Sequence, residues 1–398
     1  MSNVLNSNNR GKQFLLSLET QGIKLGLRRT QELFTVCGNP EKKLNSVQII
    51  GTNGKGSTAA TLSSILITSG MRVGLYTSPH LVDLSERIQI NNKQIDNDYI
   101  NYFINLFYND IKSLGCTFFE VLTAMAAHYF KDRGVDVAIF ETGLGGKFDS
   151  VTACNAPLQL FTKISMDHCH ILGDNIIKIA EDKASAIHNN SMCLSVKQET
   201  SVCHILNKKA EECQTKINFD LDKYNNNLDS PLIGDHQKEN ARLAITASKH
   251  ITKIMDSHIV QGIQNISWPG RIELIKTNPT IYFDVSHNDD SIIAFCNAME
   301  ALNMQSQKTL IISIQKTKQL TYSIKKIENL FSKIIVTQLN DRMYTAKELS
   351  SMFTKNIHLQ IIHNPHDAIN NTIKTLNKTD VLAIIGSHYW GEYVYKNF

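Results

Sequence analysis

The chain has 398 residues, of which 42% are hydrophobic and 20% are charged. Single hydrophobic cores usually stop growing before this length, so the chain is expected to form two domains. The 41 basic and 37 acidic residues nearly cancel, which argues against a polycationic surface and a nucleic-acid partner. The eight cysteines show no Cys-x-x-Cys pair or zinc-ligand spacing, so reduced thiols are expected rather than disulfides or a structural metal.

The first residues lack the charged and then apolar pattern of a signal peptide. No apolar run approaches the length that a bilayer-spanning helix needs. These two observations predict a cytoplasmic protein with no membrane partner.

Apolar periodicity predicts an alternating series of elements in the first two thirds of the chain. A helical leader is expected over residues 12–36, interrupted near Gly22 and Gly26. Strands are predicted over 47–50, 71–77, 135–141, 158–164 and 192–196, and helices over 58–69, 98–114, 118–130, 175–187, 200–213 and 238–251. Such alternation predicts a mostly parallel sheet. The Asn- and Asp-rich residues 224–230 predict an exposed loop.

A second α/β series starts near Trp268-Pro269-Gly270-Arg271. It predicts strands over 281–285, 309–314, 334–337, 358–362 and 381–385, and helices over 291–302, 324–331, 346–353 and 367–376. Polar residues, among them Asp284 and His287, follow these strands. Ligands of open α/β sheets gather at such strand ends, so the second domain is expected to contribute to the site.

A glycine-rich stretch, Gly51-Thr52-Asn53-Gly54-Lys55-Gly56-Ser57-Thr58, lies between a predicted strand and a predicted helix. We call residues 51–58 the glycine loop. Its glycines let backbone amides face an anion, Lys55 adds a positive charge, and a hydroxyl of Ser57 or Thr58 can reach Mg²⁺. The usual P-loop pattern has Ser or Thr directly after the lysine, where Gly56 stands. The loop is therefore a variant, and the pattern favours nucleotide binding over a turn without a ligand.

Glu120 lies in a mostly apolar predicted helix, where an ionised carboxylate needs a cation or hydrogen-bond donors. His168 follows the strand predicted over 158–164. Glu120, His168 and a loop hydroxyl would together suit one Mg²⁺ ion. The alternative for His168 is a capping or hydrogen-bonded histidine. Glu141 also ends a predicted strand, and a second glycine-rich turn follows it.

Two other features are ambiguous when only the residues are considered. The segment Ser78-Pro79-His80-Leu81, with Arg87 nearby, would suit an anionic or aromatic substrate. It would equally suit a loop with an ordinary Glu86–Arg87 ion pair. Lys183 lies on an otherwise small and apolar helix face, which favours a surface lysine whose stem covers apolar groups.

The order of these motifs resembles that of bacterial folylpolyglutamate synthases, often bifunctional with dihydrofolate synthase, in the Mur ligase superfamily. The series comprises the glycine loop, Ser78 to Leu81 with Arg87, Glu120, Glu141 to Asp149, Asp167-His168, Lys183, Gly234-Asp235-His236-Gln237 with Asn240, Pro269-Gly270-Arg271, and Asp284 with His287-Asn288. The resemblance covers nearly the whole chain from about residue 20.

The resemblance implies a fold and a reaction. The fold is α/β, with a P-loop-type ATPase domain of mostly parallel sheet over residues 1–267 and a smaller Rossmann-like domain over 268–398 that closes over it. The reaction is an ATP-dependent amide ligation that adds L-glutamate to dihydropteroate or a reduced folate through an acyl phosphate. A monomer is expected.

The resemblance also implies roles for single residues. Lys55, His168, Lys183 and Arg271 form the implied catalytic set. The glycine loop (Gly51, Thr52, Asn53, Gly54, Lys55, Gly56, Ser57, Thr58) holds the ATP phosphates, Asn240 lies near adenine, and Arg271, Asp284 and His287 complete the nucleotide site. Ser57, Glu120 and His168 hold Mg²⁺, and a carbamylated Lys183 helps to bind a second monovalent or divalent cation. Ser78, Pro79, His80 and Arg87 lie in the pterin-binding stretch.

Two segments depart from the family pattern. Asp284-Val285-Ser286-His287-Asn288-Asp289 stands where Asp-Gly-Ala-His-Asn-Pro is usual, and residues 145–152 lack the usual Arg and Asn. These departures leave two alternatives open: a related ligase that joins an amino acid to a different carboxylate, or a degenerate ATP-binding protein.

Overall fold

The computed structural model describes residues 10–20, 22, 24–222, 229–304, 306–353 and 358–398. Most of the loop predicted over 224–230 therefore lies outside the described residues. The chain divides into two compact units. The first runs to Ile164 and adds Asn175–Asp229 and Glu239–Ile266, and the second consists of Ser165–Asp174, Ser230–Lys238 and Ser267–Phe398.

An eight-stranded sheet in the order β4-β3-β2-β5-β1-β6-β7-β8 forms the centre of the first unit. Its strands are β1 (Ser46–Ile50), β2 (Val73–Tyr76), β3 (Ile88–Ile90), β4 (Lys93–Gln94), β5 (Val137–Glu141), β6 (Leu158–Phe161), β7 (Met192–Ser195) and β8 (Ile217–Asn218). Six strands are parallel to their neighbours: β2, β5, β1, β6, β7 and β8. Strand β3 pairs with β2, and β4 with β3, in the antiparallel sense. Strand β1 is buried along its whole length, as expected for a central parallel strand covered on both faces.

Helices cover both faces of this sheet. They are α1 (Arg10–Glu19), α2 (Arg28–Val36), α3 (Lys55–Thr68), α4 (Asn97–Leu114), α5 (Phe118–Asp132), α7 (Ile176–Ala184), α8 (Thr200–Glu212), α9 (Asp235–Ile251, which begins in the second unit) and α10 (Asp256–Gln264). A large apolar cluster joins α1, α2, α4 and α5 to one face of the sheet. The predicted helical leader thus packs on α4 and α5 and covers this core.

The second unit has a six-stranded sheet in the order β13-β12-β11-β14-β10-β9. Its strands are β9 (Glu273–Thr277), β10 (Thr280–Phe283), β11 (Lys308–Ile312), β12 (Lys333–Val336), β13 (His358–Ile361) and β14 (Val381–Ile385). Its helices are α6 (Cys169–Leu172), α11 (Asp289–Ala301), α12 (Tyr322–Leu330), α13 (Ala346–Ser350), α14 (Pro365–Thr375) and α15 (Trp390–Asn397). Only β9 pairs in the antiparallel sense within this described sheet.

The predicted fold class, two α/β domains with mostly parallel sheets, is confirmed. The predicted elements recur with small shifts at their ends, but β3, β4, β8, β9, α6, α10 and α15 are not among the predicted elements. Strands of two or three residues carry too few alternations to be recognised, and β9 is largely exposed. Among the described residues, no helix is long and apolar enough to cross a membrane.

Helix α10 packs on α3, the helix that starts in the glycine loop. The contact is close because Gly262 has no side chain: a Cβ there would lie 2.6 Å from the Ile65 Cα. The Ser64 hydroxyl donates a 2.6 Å hydrogen bond to the Gly262 carbonyl. This contact fixes the helix that carries the loop.

We therefore expect Gly262→Ala to lower stability by about 1–3 kcal/mol, because the added methyl group meets backbone that cannot rotate away. Gln261→Ala, at the exposed neighbouring position on the same helix, is the matched control and should be nearly neutral. Urea unfolding of both variants measures the difference. Equal stability of the two variants would contradict the close backbone contact.

Candidate functional site

The glycine loop turns the chain sharply between β1 and α3. The amides of Thr52 and Asn53 donate to the Lys163 carbonyl at 2.9 and 3.2 Å. Gly54 precedes the helix with φ of +87°, and a Cβ at this position would lie 2.3 Å from the Asn240 side-chain oxygen. Both facts require glycine here. The predicted neighbour Asn240, buried on α9, thus packs directly against the loop.

Two ammonium groups converge on one carbonyl oxygen of the loop. Lys55 Nζ lies 3.2 Å from the Gly51 oxygen and 3.1 Å from that of Thr52. Lys183 Nζ donates to the same Gly51 oxygen at 2.8 Å. Lys183 is only 4% exposed, so it is not the surface lysine that its helix face alone suggested. Two cations beside a helix N-terminus make a strongly positive site for an anion.

Two buried hydroxyl groups follow Lys55 along α3. Within the described part of the chain, Ser57 Oγ and Thr58 Oγ1 have no hydrogen-bond partner. A buried polar atom without a partner is costly, and such atoms in native proteins usually have a ligand or an ion as their partner. The orphaned Ser57 hydroxyl therefore fits a cation or a phosphate oxygen at the loop.

Glu120 is engaged by protein groups. The Arg29 Nε–H lies 2.9 and 3.1 Å from the two carboxylate oxygens, and the Thr117 amide donates to Oε2 at 2.7 Å. Thr117 and Glu120 form a capping box at the start of α5, and the sequence Thr-x-x-Glu is the signature of that motif. The charge of Glu120 is thus compensated by Arg29, which removes the reason for assigning it to Mg²⁺.

Glu141 is the carboxylate that lies at the loop edge of the sheet. It ends β5, in register with Ile49 of the adjacent parallel strand β1, and it is 5% exposed. The Ser78 amide, which follows β2 on the other side of β5, donates to Glu141 Oε2 at 3.1 Å. Three parallel strands therefore bring the glycine loop, Glu141 and Ser78 to one edge, where ligands of such sheets bind.

Asp149 is a second buried carboxylate that was not predicted as a site residue. It accepts hydrogen bonds from the amides of Gly143, Leu144 and Val151 at 2.8 to 2.9 Å. Burial raises the pKa of Asp149 to about 6, although these amides and Lys183 favour the ionised form. Asp149 thus shapes the second glycine-rich turn, directly after Glu141.

His80 and Arg87 form a direct contact. Arg87 Nε–H donates to His80 Nδ1 at 2.8 Å, and its guanidinium lies 5.1 Å from the centre of the Phe118 ring. Because a guanidinium can only donate, His80 Nδ1 must be unprotonated. Burial, and then the Arg87 charge, lower the pKa of His80 to about 4. Glu86 instead accepts the amides of residues 81–83.

Asp284 and His287, two predicted residues of the second unit, lie between β10 and α11, and Arg271 precedes β9. Asp284 follows β10 and accepts the amides of Ile272 and Ser286 at 2.8 and 2.7 Å. Arg271 Nη1 donates to the Gly270 carbonyl at 3.0 Å. Asp284 thereby ties the segment that carries Arg271 to the end of the strand.

His287 and His168 meet at the carboxylate of Asp167, also in the second unit. His287 Nε2 lies 3.5 Å from Asp167 Oδ2, and His168 Nε2 lies 4.0 Å from Oδ1. Lys318, which was not predicted, binds the same carboxylate. Among the described residues, no three His, Cys, Asp or Glu side chains are grouped so as to hold a metal.

Comparison with known proteins identifies relatives of this chain. Residues 270–388 match the family profile described as Mur ligase, glutamate ligase domain. The chain is 30% identical to a dihydrofolate synthase/folylpolyglutamate synthase of Bacillus subtilis, over 93% of this chain and 94% of that protein. A protein of the same name from Buchnera aphidicola is 30% identical, over 94% and 91% of the two chains.

Solved structures have the same fold. A Mycobacterium tuberculosis folylpolyglutamate synthase complexed with ADP superposes with a TM-score of 0.87, at 24% identity over 97% of this chain and 98% of that one. A bifunctional folylpolyglutamate synthase/dihydrofolate synthase from Yersinia pestis, complexed with AMPPNP and Mn ion, has a TM-score of 0.86 at 24% identity over 97% of each chain.

The low pKa of His80 predicts how stability depends on pH. Between about pH 6.5 and 4 the unfolded chain binds a proton at His80 that the folded chain does not, so stability falls as pH falls through this window. His80→Gln should remove this contribution and show a smaller loss of melting temperature from pH 6.5 to 4.5. His250→Gln, at an exposed position on α9, is the control, and equal slopes for wild type and His80→Gln would contradict a buried neutral His80.

Proposed function

This chain belongs to the dihydrofolate synthase/folylpolyglutamate synthase family, and we propose that it uses ATP to join L-glutamate to dihydropteroate, to reduced folates or to both. The convergence of Lys55 and Lys183 on the Gly51 carbonyl, beside the orphaned hydroxyl of Ser57, carries this proposal. It is an arrangement for a phosphate and its cation rather than for a neutral ligand. We also propose that the enzyme is cytoplasmic and monomeric.

The glycine loop would hold the ATP phosphates. Its amides and the start of α3 face the anion, and Lys55 would exchange its contacts with the loop carbonyls for the β- and γ-phosphates. Asn240, packed against Gly54, is the proposed neighbour of adenine. Arg271, Asp284 and His287 are proposed to complete the nucleotide site.

A divalent cation, Mg²⁺ by preference, would be held by Ser57 and Glu141. Both offer oxygen atoms, which this ion prefers. Glu141 replaces Glu120 in this assignment because Arg29 already compensates Glu120. His168 is retained as a proposed third ligand. The cation supplies charge neutralisation on the phosphoryl group that is transferred.

Carbamylation of Lys183 is part of the proposal for a second cation. Lys183 would first lose a proton to solvent, and its neutral amine nitrogen would then attack the carbon of carbon dioxide and release a second proton. The product is a carbamate anion beside the Gly51 carbonyl, to which the ammonium group now donates a hydrogen bond. Such an anion is a metal ligand, whereas an ammonium group is not.

The proposed reaction has two steps. A carboxylate oxygen of the folate-type substrate attacks the γ-phosphorus of ATP, the bond to ADP breaks, and an acyl phosphate forms. The neutral amine of L-glutamate then attacks the acyl carbon, phosphate leaves, and the amine proton passes to solvent or phosphate. Phosphoryl transfer is accelerated mainly by positioning and by electrostatic stabilisation of the transferred group. In the first step, Lys55 would supply part of that stabilisation by balancing the charge on the phosphoryl group.

The pterin would bind at the edge that carries Ser78, Pro79, His80 and Arg87. Ser78 is tied to Glu141 by its amide, so the proposed substrate segment and the proposed cation ligand are held together. The neutral His80 ring and the Arg87 guanidinium offer hydrogen-bond donors to a heteroaromatic ligand.

Mass spectrometry of reactions with ATP, Mg²⁺ and L-glutamate tests this function. Dihydropteroate, tetrahydrofolate or both should gain a glutamate residue, and Lys55→Ala should lower the rate by about a hundredfold or more while the melting temperature is retained. Product with a different carboxylate alone would favour a related ligase. ATP binding without turnover of any acceptor would identify a degenerate protein, and an active Lys55→Ala variant would refute the role of the loop.

The two buried glutamates should behave differently when each is made neutral. Glu141→Gln is expected to raise the Mg²⁺ concentration for half-maximal rate by about tenfold or more, because it weakens a ligand. Glu120→Gln should leave this concentration unchanged and cost about 1–3 kcal/mol of stability, because it breaks a charged hydrogen bond to Arg29. Metal titrations and urea unfolding of both variants measure this, and the reverse pattern would restore Glu120 as the ligand.

A further inference from the structure

Asp289, the first residue of α11, has no part in the reaction proposed above. Its side chain lies against the start of α12, another helix of the second unit. The carboxylate accepts hydrogen bonds from the amides of Thr321, Tyr322 and Ser323 at 3.0, 2.9 and 2.9 Å and from the Ser323 hydroxyl at 2.5 Å. Burial opposes ionisation of Asp289, but the Ser323 hydroxyl and these amides lower its pKa below the usual value. One carboxylate of α11 thus receives four hydrogen bonds from the start of α12.

These contacts replace a cap that α12 does not supply itself. The first amides of a helix have no acceptor within the helix, and the side chain of the N-cap residue commonly accepts from them. In α12 that residue is Thr321, whose side chain makes no capping hydrogen bond. Asp289 supplies the acceptor from a neighbouring helix, and its negative charge lies at the positive end of the α12 dipole. The start of α12 is therefore fixed to the start of α11.

The loop that leads into α12, residues 313–321, is attached at a second point. Lys318 in this loop is 5% exposed, and its Nζ lies 2.5 Å from Asp167 Oδ1. Asn288, which precedes Asp289, donates to the other oxygen of the same carboxylate at 2.9 Å. Removal of one partner from a buried ion pair is costly. The contacts therefore form a closed circuit from Asp289 through the start of α12, Lys318, Asp167 and Asn288 back to Asp289.

His287 directly precedes Asn288 in this circuit. Its Nε2 lies 3.5 Å from Asp167 Oδ2, and its Nδ1 lies 2.9 Å from the Val285 carbonyl oxygen. The position of the imidazole thus depends on the backbone beside Asn288 and on the Asp167 carboxylate, both of which the circuit holds.

We propose that Asp289 is a positioning residue that caps α12, closes this circuit and thereby holds the His287 side chain in place for the nucleotide. The effect on nucleotide binding rests on the proposed function, whereas the capping of α12 does not.

Amide hydrogen exchange of the free, full-length protein, followed by NMR, tests the cap. Tyr322 is 75% exposed, yet its amide and that of Ser323 should be protected in the wild type because both are bonded to Asp289. Asp289→Ala should speed their exchange by about tenfold, as expected when a cap is lost. Unprotected amides in the wild type would overturn the proposal even if Asp289→Ala failed to fold, and equal protection in the two proteins would overturn it as well.

Glu300→Gln is the matched control for this experiment. The Glu300–Lys326 pair also joins α11 to α12, but at exposed positions and with 3.8 Å between the charged atoms. Such surface pairs contribute little, so this variant should have the exchange rates of the wild type.

Isothermal titration calorimetry with Mg²⁺ and a non-hydrolysable ATP analogue tests the positioning role. Asp289→Ala is expected to raise the Kd by about tenfold, because a binding group is misplaced. Asp289→Asn, which keeps an acceptor oxygen, should have an intermediate Kd, and Glu300→Gln should match the wild type. The fitted number of sites reports the folded fraction, so a merely structural defect would lower that number and leave the Kd unchanged.

The outcomes separate this role from the proposed reaction. An unchanged Kd in Asp289→Ala, despite faster exchange at Tyr322 and Ser323, would refute the positioning role. A wild-type protein that binds the analogue but forms no glutamate product would refute the proposed ligase, and the Kd comparison would still decide the role of Asp289. A wild-type protein that does not bind the analogue would refute both.

Discussion

The convergence of two lysine ammonium groups on the Gly51 carbonyl is the constraint around which the first unit is arranged. Lys55 reaches it from the start of α3 and Lys183 from α7, so both helices must be held at the end of the central strand β1. Helix α10 holds α3 through the close contact at Gly262, and Asp182, next to Lys183, accepts the Gly146 amide at 2.8 Å. Two like charges this close to each other favour an anion as their common partner, which is why the fold favours a phosphate at this point.

Buried charged side chains that are paired with an opposite charge support the fold, whereas buried polar groups without such a partner mark the site. Glu120 is matched by Arg29, and Asp167 is matched by Lys318, each through short charged contacts. Such pairs gain their stability within the protein and need no ligand. Around the glycine loop the compensation is incomplete. Ser57 Oγ has no partner among the described residues, and Lys55 Nζ donates to the backbone carbonyls of Gly51 and Thr52. Groups left in this state are expected where a substrate and its cation bind.

Much of the fold follows from the sequence because the long elements carry strong periodicity. The helices α4 and α5 and the buried strands β5 and β14 were predictable to within a few residues, whereas two-residue strands such as β4 hold too little pattern. The glycine loop was recognisable because its chemistry is local. The apolar surroundings of Glu120 favour it over Glu141 as a predicted metal ligand, although the sequence Thr117-x-x-Glu120 also matches a capping box. The ion pairs Arg29–Glu120 and Lys318–Asp167 each join residues that are far apart in sequence. Only the folded chain reveals them.

We propose that the glycine loop binds the nucleotide and that Glu141, not Glu120, binds its cation. Anomalous diffraction from crystals grown with Mn²⁺ and a non-hydrolysable ATP analogue distinguishes the two glutamates. We expect a manganese peak coordinated by Ser57 Oγ and the Glu141 carboxylate, with Glu120 still paired to Arg29. A manganese peak coordinated by Glu120, with Arg29 displaced from it, would show that Glu120 is the ligand and that this assignment is wrong.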